Sequence, residues 1–182
     1  MTVAKKYSDQ IFTLSEYLAL PENERMEILE GMPYLLASPS MSHQNCALAF
    51  ASAFRAALSG KPCQAFIAPL DVFLDEADER KPTVVQPDVF VVCDRKKLDD
   101  RGCHGAPDLI IEVLSPGTRQ HDLVRKMNLY RRYGVREYWT VEAQFVLDDK
   151  GYRLAGAYEK GDKVPVQVLE GYTIDLDEIF SE

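Results

Sequence analysis

Asp108-Leu109-Ile110-Ile111-Glu112-Val113-Leu114 is the stretch on which the fold turns. Its apolar residues run without alternation, the mark of a strand buried on both faces rather than one with a wet side. Pro116 and Gly117 break it, and Thr118 stands where a helix cap is needed for a helix to about Tyr133. Asp122 in that helix's first turn suits the positive end of the dipole, and Arg131, Arg132 and Gly134 suit its C-terminus. Upstream, Val84 to Cys93 reads as a second buried strand carrying a Gln86-Pro87-Asp88 insert. A polar loop with Gly102 and Gly105 separates the two.

Outward from this centre the signals are shorter. Thr13 or Ser15 caps a short helix to Leu20, and Arg25 to Ala37 is a strand pair turning at Glu30-Gly31. Leu48, Phe50, Ala51, Phe54 and Leu58 recur near helical spacing from Ser42 until Gly60 and Pro62 stop the helix. Phe66 to Leu74 holds one or two strands, Tyr138 to Val141 another, and Phe145 to Tyr158 a hairpin at Asp149-Lys150-Gly151. Leu176 to Phe180 is one helical turn. Strands and helices alternate loosely, so the expected class is α/β or α+β with a mixed sheet.

The chain has 182 residues, 46% hydrophobic and 27% charged, which fits a single folded domain over 1–182 and argues against disorder. No apolar run approaches the roughly 20 residues of a membrane helix, and Met1 to Gln10 has no apolar segment of the secretory kind. Cys46, Cys63, Cys93 and Cys103 lie far apart, which predicts four free thiols and a cytoplasmic protein. Basic residues number 21 against 29 acidic ones, a net charge of −8. Broad binding to nucleic acid is disfavoured, leaving room only for a local strip such as Arg95 to Lys97, or Arg125, Lys126, Arg131 and Arg132.

Two carboxylates stand inside apolar strands. Glu112 is flanked by Ile110, Ile111, Val113 and Leu114, and a buried carboxylate needs a cation or a proton. Asp88 opens its own apolar run after Pro87. If the two strands pair antiparallel, Asp88 and Glu112 converge across the ladder, within reach of one divalent ion. Asp108 is the poorer partner, roughly 13 Å away along the strand. An ion pair of Glu112 with Arg119 or Arg125 explains the same burial without chemistry.

Together with Met26-Glu27-Ile28-Leu29-Glu30-Gly31, Ser42-His43-Gln44, Val85-Gln86-Pro87-Asp88-Val89, Pro107 through Pro116, Asp122 through Tyr130 and Gly134 through Trp139, the chain resembles the Uma-type family of restriction-endonuclease-like proteins. That family lies within the PD-(D/E)XK nuclease superfamily. The resemblance implies a restriction-endonuclease-like mixed central β-sheet flanked by helices, and a metal-dependent endonuclease acting on DNA. It also implies Asp88, Glu112 and the Val113 carbonyl as ligands of Mg²⁺ or Mn²⁺, with Glu27 as the upstream acid. The superfamily lysine two residues past the glutamate is replaced by Leu114, and the Uma-type pattern moves it onto the next helix, where Lys126 matches. Asp122, Lys126 and Tyr130 share one helix face, and a solvated Lys126 paired with Asp122 is the plainer reading of that spacing. His43 and Gln44 either face the site or serve the helix start. A homodimer follows if duplex DNA is cut on both strands. The reading from another class is a non-catalytic interaction or regulatory module on the same scaffold, which the net charge favours.

Other chemistries find little support. Gly156 and Gly161 have phosphate-loop spacing, but Asp162 replaces the needed lysine. No Gly-x-Ser-x-Gly elbow occurs, and the neighbours Cys103 and His104 point apart on an extended chain.

Overall fold

The computed structural model describes residues 10–21, 24–114, 121–141, 143–149 and 151–180, the side chains of 121–123 and 143–146 excepted. In chain order come helix α1 (Leu14–Leu18), strands β1 (Met26–Leu29) and β2 (Met32–Leu35), and helix α2 (Met41–Ala57). Strands β3 (Gln64–Ile67), β4 (Asp71–Asp75), β5 (Thr83–Val85) and β6 (Val89–Val92) follow. Beyond a 3-10 turn at Arg95–Lys97 lie β7 (Gly102–His104) and β8 (Leu109–Glu112). A π-helical segment, His121–Lys126, runs directly into α3 (Met127–Tyr133). Strand β9 (Glu137–Thr140), the hairpin β10 (Ala143–Asp148) and β11 (Gly151–Gly156), the pair β12 (Lys163–Pro165) and β13 (Thr173–Asp175), and helix α4 (Leu176–Ile179) complete the order.

Local chemistry sets the boundaries. Thr13 caps α1 in a reciprocal box with Glu16, its hydroxyl taking the Glu16 N–H and the Glu16 carboxylate taking the Thr13 N–H. Glu30 and Gly31 both adopt positive φ, 54° and 83°, which closes the tight β1–β2 turn. The cap of the helix after Pro116 was expected at Thr118, which lies outside the described residues.

The chain is α+β, with two mixed sheets where one was expected. The larger has the order β11-β10-β9-β8-β6-β3, with β8 and β9 parallel. The other is β2-β1-β5-β4-β7, with β4 and β7 parallel. Gln86-Pro87-Asp88 is therefore not an insert within one strand. It carries the chain from β5 in one sheet to β6 in the other. Pro87 has no N–H to give a ladder, which favours a break there. The short β7, β12 and β13 escaped the sequence reading because three residues are too few to show a period.

Period-2 alternation then sorts the side chains. On one face of the six-stranded sheet, Val89, Val91, Leu109, Ile111 and Trp139 pack against Ala47, Phe50, Phe54 and Leu58 of α2. On the other, Phe90, Val92, Ile110 and Tyr138 meet Leu129 and Tyr130 of α3 together with Leu29, Val72, Leu74 and Val85 of the five-stranded sheet. That sheet's outer face, Met26, Ile28, Phe73 and Val84, is covered by Phe12 and Tyr17. Strand β8 is thus buried on both faces, as its composition requires. Each of its apolar side chains contributes about 1.5–3 kcal/mol on burial. Glu112 shares the parity of Ile110 and so faces α3 and the second sheet.

The expectation of four free thiols is corrected. Cys63 and Cys93 form a disulfide, while Cys46 and Cys103 are free. The antiparallel register pairs Gln64 with Val92, so the residues one step outward, 30 apart in sequence, face each other. Spacing along the chain does not reveal that opposition.

Both ring nitrogens of His104 face carboxylates. Its Nδ1 pairs with Glu76, its Nε2 lies 3.0 Å from Asp99 Oδ1, and its ring stacks on Phe73 at 5.0 Å. Burial works against its charge, but the two carboxylates outweigh burial and raise its pKa. A raised histidine pKa contributes stability that is complete below the unfolded value of about 6.5 and lost as pH rises through the folded value. Urea midpoints are therefore expected to fall as pH rises above about 6.5, and His104→Gln to flatten that slope.

Candidate active site

Three segments distant in sequence meet between α3 and the two sheets. Glu27 arrives from β1, Glu112 from the end of β8, and Lys126 from the last residue of the π-helical segment. Lys126 Nζ donates to Glu27 Oε1 at 2.8 Å and to Glu112 Oε1 at 2.9 Å. All three are buried, with 1%, 4% and 4% of their surfaces exposed. Those figures discard the solvated-lysine reading of Lys126. The wider turn of a π-helix, common at functional sites, leads directly into this residue.

Tyr130, one turn beyond Lys126 on the same face, donates its hydroxyl to Glu112 Oε1 at 2.6 Å. Burial and then the Glu112 charge push the phenol well above its ordinary pKa, so it remains a donor. Glu27 Oε1 also takes the backbone N–H of Gln86 at 2.9 Å. The Gln86 side chain donates in turn to Asp71 Oδ1 at 2.9 Å, which also takes the Tyr17 hydroxyl at 2.9 Å. Burial raises the Asp71 pKa, and the Gln86 and Tyr17 hydrogen bonds oppose the rise. The outer network of Tyr17, Asp71 and Gln86 was not foreseen, because its members come from α1, β4 and the β5–β6 link with no common motif.

The antiparallel pairing of β6 with β8 sets Val89 against Ile111, so Asp88 and Glu112 occupy the next rung, as the sequence predicted. Asp88 Oδ2 accepts the Val113 N–H at 2.8 Å. His43 Nε2, from the first turn of α2, lies 3.2 Å from the same oxygen, so His43 faces the site. Its backbone N–H is taken by the Ser40 cap hydroxyl. Cys46, one turn on, has its thiol pushed up to about 11 by burial and then by the Asp88 charge. Asp88 and His43 keep 18% and 17% of their side chains exposed, so solvent enters from the α2 side.

Other candidates stand elsewhere. Asp108 accepts the Cys93 N–H at 2.8 Å and an Arg136 bond at 2.9 Å, remote from Glu112's partners. Arg125, one of the two arginines considered for Glu112, lies over the Tyr34 ring at 4.6 Å. Arg119 and the side chain of Asp122 lie outside the described residues.

The donor set is chemically suited to Mg²⁺ or Mn²⁺, since Asp88, Glu112, Glu27 and the Val113 carbonyl all present hard oxygens. Among the described residues, no three His, Cys, Asp or Glu side chains already surround one cation position. The position between Glu27 and Glu112 holds the Lys126 ammonium.

Against known proteins, residues 14–177 match the family model described as "Uma2: Putative restriction endonuclease". An uncharacterised protein of Synechocystis sp. (strain ATCC 27184 / PCC 6803 / Kazusa) is 26% identical over 174 residues, 91% of this chain and 89% of the relative. A crystal structure of a "putative nuclease belonging to DUF820" from Anabaena variabilis ATCC 29413 superposes with a TM-score of 0.72 at 22% identity. It covers 93% of this chain and 98% of the other.

Proposed function

Because the chain belongs to the Uma2 family of restriction-endonuclease-like proteins, we propose that its nuclease-like site is a metal-dependent one that hydrolyses phosphodiester bonds in DNA. The observation that carries this reading is the meeting of Glu27, Glu112 and Lys126 beside Asp88. These are groups a metal-dependent phosphodiesterase uses: acidic oxygens for a cation, and a positive donor near the reacting phosphate.

In this reading Asp88, Glu112 and the Val113 carbonyl would hold Mg²⁺ or Mn²⁺, which would supply positive charge for the phosphoryl oxygen and for activating water. Lys126 orients the nucleophilic water or stabilises charge on the pentacovalent phosphorus. Glu27 fixes Lys126, and Tyr130 fixes Glu112. The approach is from the exposed Asp88 and His43 side. We further assign the protein to the cytoplasm and to a homodimer. The Cys63–Cys93 bond removes the cysteine argument for the compartment, which then rests on the DNA substrate alone. Among the described residues, no helix is long and apolar enough to cross a membrane.

The test is Mn²⁺ calorimetry on wild type, Asp88→Ala and Glu112→Ala, followed by cleavage of plasmid DNA. Losing an outer partner of a metal ligand costs about 10–100-fold in affinity. Each of these substitutions is therefore expected to cost at least about 100-fold and to abolish cleavage, with the Asp88→Ala fold retained. The net charge of −8 favours the alternative of a non-catalytic interaction module. Absence of DNA binding at low salt with metal present decides for that module.

A further inference from the structure

We infer that Lys126 is an internal counter-ion which holds the Glu27–Glu112 position in the metal-free protein, so that the lysine opposes divalent cation binding at the Asp88–Glu112 edge. The inference rests on the metal-dependent reading above and adds a property of this chain's own lysine. Nζ is 2.8 Å from Glu27 Oε1 and 2.9 Å from Glu112 Oε1, where a cation shared by the two carboxylates would also sit. The side chains are 5%, 2% and 5% exposed, so little water lies between these charges to screen them. Glu112 Oε1 also takes the Tyr130 hydroxyl, and Glu27 Oε1 the Gln86 amide. Both carboxylates are thus held toward the ammonium.

Two consequences separate this arrangement from a lysine that merely neighbours a metal. A positive charge within a few ångströms of an incoming divalent ion weakens its binding. An ion served by Glu112 at the Asp88 side would also share that carboxylate's charge with the Lys126 ammonium. Removing the ammonium is therefore expected to strengthen cation binding, although the same residue is required for cleavage.

The experiment is calorimetric titration of Mn²⁺ into the intact chain: wild type, Lys126→Gln, Lys126→Gln/Asp88→Ala and Glu27→Gln/Lys126→Gln. Lys126→Gln is expected to bind at least about tenfold more tightly than wild type, with the gain lost when Asp88 is also replaced. The Glu27→Gln/Lys126→Gln chain removes one charge of each sign, keeps the pocket's net charge, and reports if the single variant does not fold. It too is expected to bind no more weakly than wild type. Binding by Lys126→Gln, or by the charge-balanced chain in its place, that is weaker than wild type overturns the counter-ion role. So does unchanged binding by a folded Lys126→Gln. If wild type still binds and Asp88→Ala does not, the metal-dependent reading survives that failure. Absence of Mn²⁺ binding in every chain overturns both.

Discussion

Lys126→Met is expected to reduce DNA cleavage by a factor of about 10² to 10³ and, in metal-free buffer, to cost about 3–5 kcal/mol of stability. The first figure is what removing one preorganised donor from a charge-developing site costs. The second arises because Glu27 and Glu112, both buried, would face each other without the ammonium that links them at 2.8 and 2.9 Å. A typical domain has only about 5–15 kcal/mol to lose, so the variant is expected to fold with a strongly lowered urea midpoint. Added Mn²⁺ should restore part of that midpoint, because a bound cation stabilises the folded state it binds. Urea unfolding with and without Mn²⁺, beside single-turnover cleavage, measures both effects. A Lys126→Met chain as stable as wild type in metal-free buffer would refute the pairing energetics.

Glu137→Ala is expected to be as damaging, away from the chemistry. Glu137 is fully buried on β9, and among the described residues its carboxylate takes Trp139 Nε1 at 2.8 Å, the Gln167 N–H at 3.1 Å and the Val168 N–H at 2.9 Å. The last two tie the segment between β12 and β13 to the six-stranded sheet, where Val166 and Leu169 pack near Phe54 and Trp139. Alanine leaves three donors without their acceptor, at about 1–3 kcal/mol for each that stays buried and unsatisfied. Partial relaxation brings the expected loss to about 3–5 kcal/mol. Glu137→Gln keeps one acceptor oxygen and should lose less. Urea midpoints measure the totals. Faster hydrogen exchange at Gln167 and Val168 locates the damage, and unchanged exchange there would show that Glu137 does not anchor this segment.

These two residues also mark what the sequence could and could not tell. Glu112 was legible because a charge in a run of isoleucine and valine violates the local pattern and demands a partner. Asp88 followed from it by antiparallel pairing alone. Lys126 and Glu27 were legible only through the family resemblance, since the bond between them spans 99 residues and depends on how two sheets and a helix stack. No period along the chain encodes that stacking. Glu137 looked like one more acid in an acidic protein, because its bonds to the rest of the fold go to backbone amides 30 and 31 residues away, and backbone amides leave no mark in composition. The Cys63–Cys93 bond hid for the same reason. The fold class was readable from buried strands and capped helices, whereas the division into two sheets was not, because Pro87 reads equally as an interruption or as a crossing.

That crossing has a consequence for how the protein can change over generations. Gln86, Pro87 and Asp88 are the whole of the link between the two sheets at this point, and they supply a donor to Glu27, a donor to Asp71 and the Asp88 carboxylate itself. One added or deleted residue would shift every side chain that follows to the opposite face of β6. The hairpin between β10 and β11, by contrast, lies at the rim of its sheet and can lengthen freely. Lineages should therefore vary in length at the rim while this three-residue hinge keeps its count, even where its residue types drift.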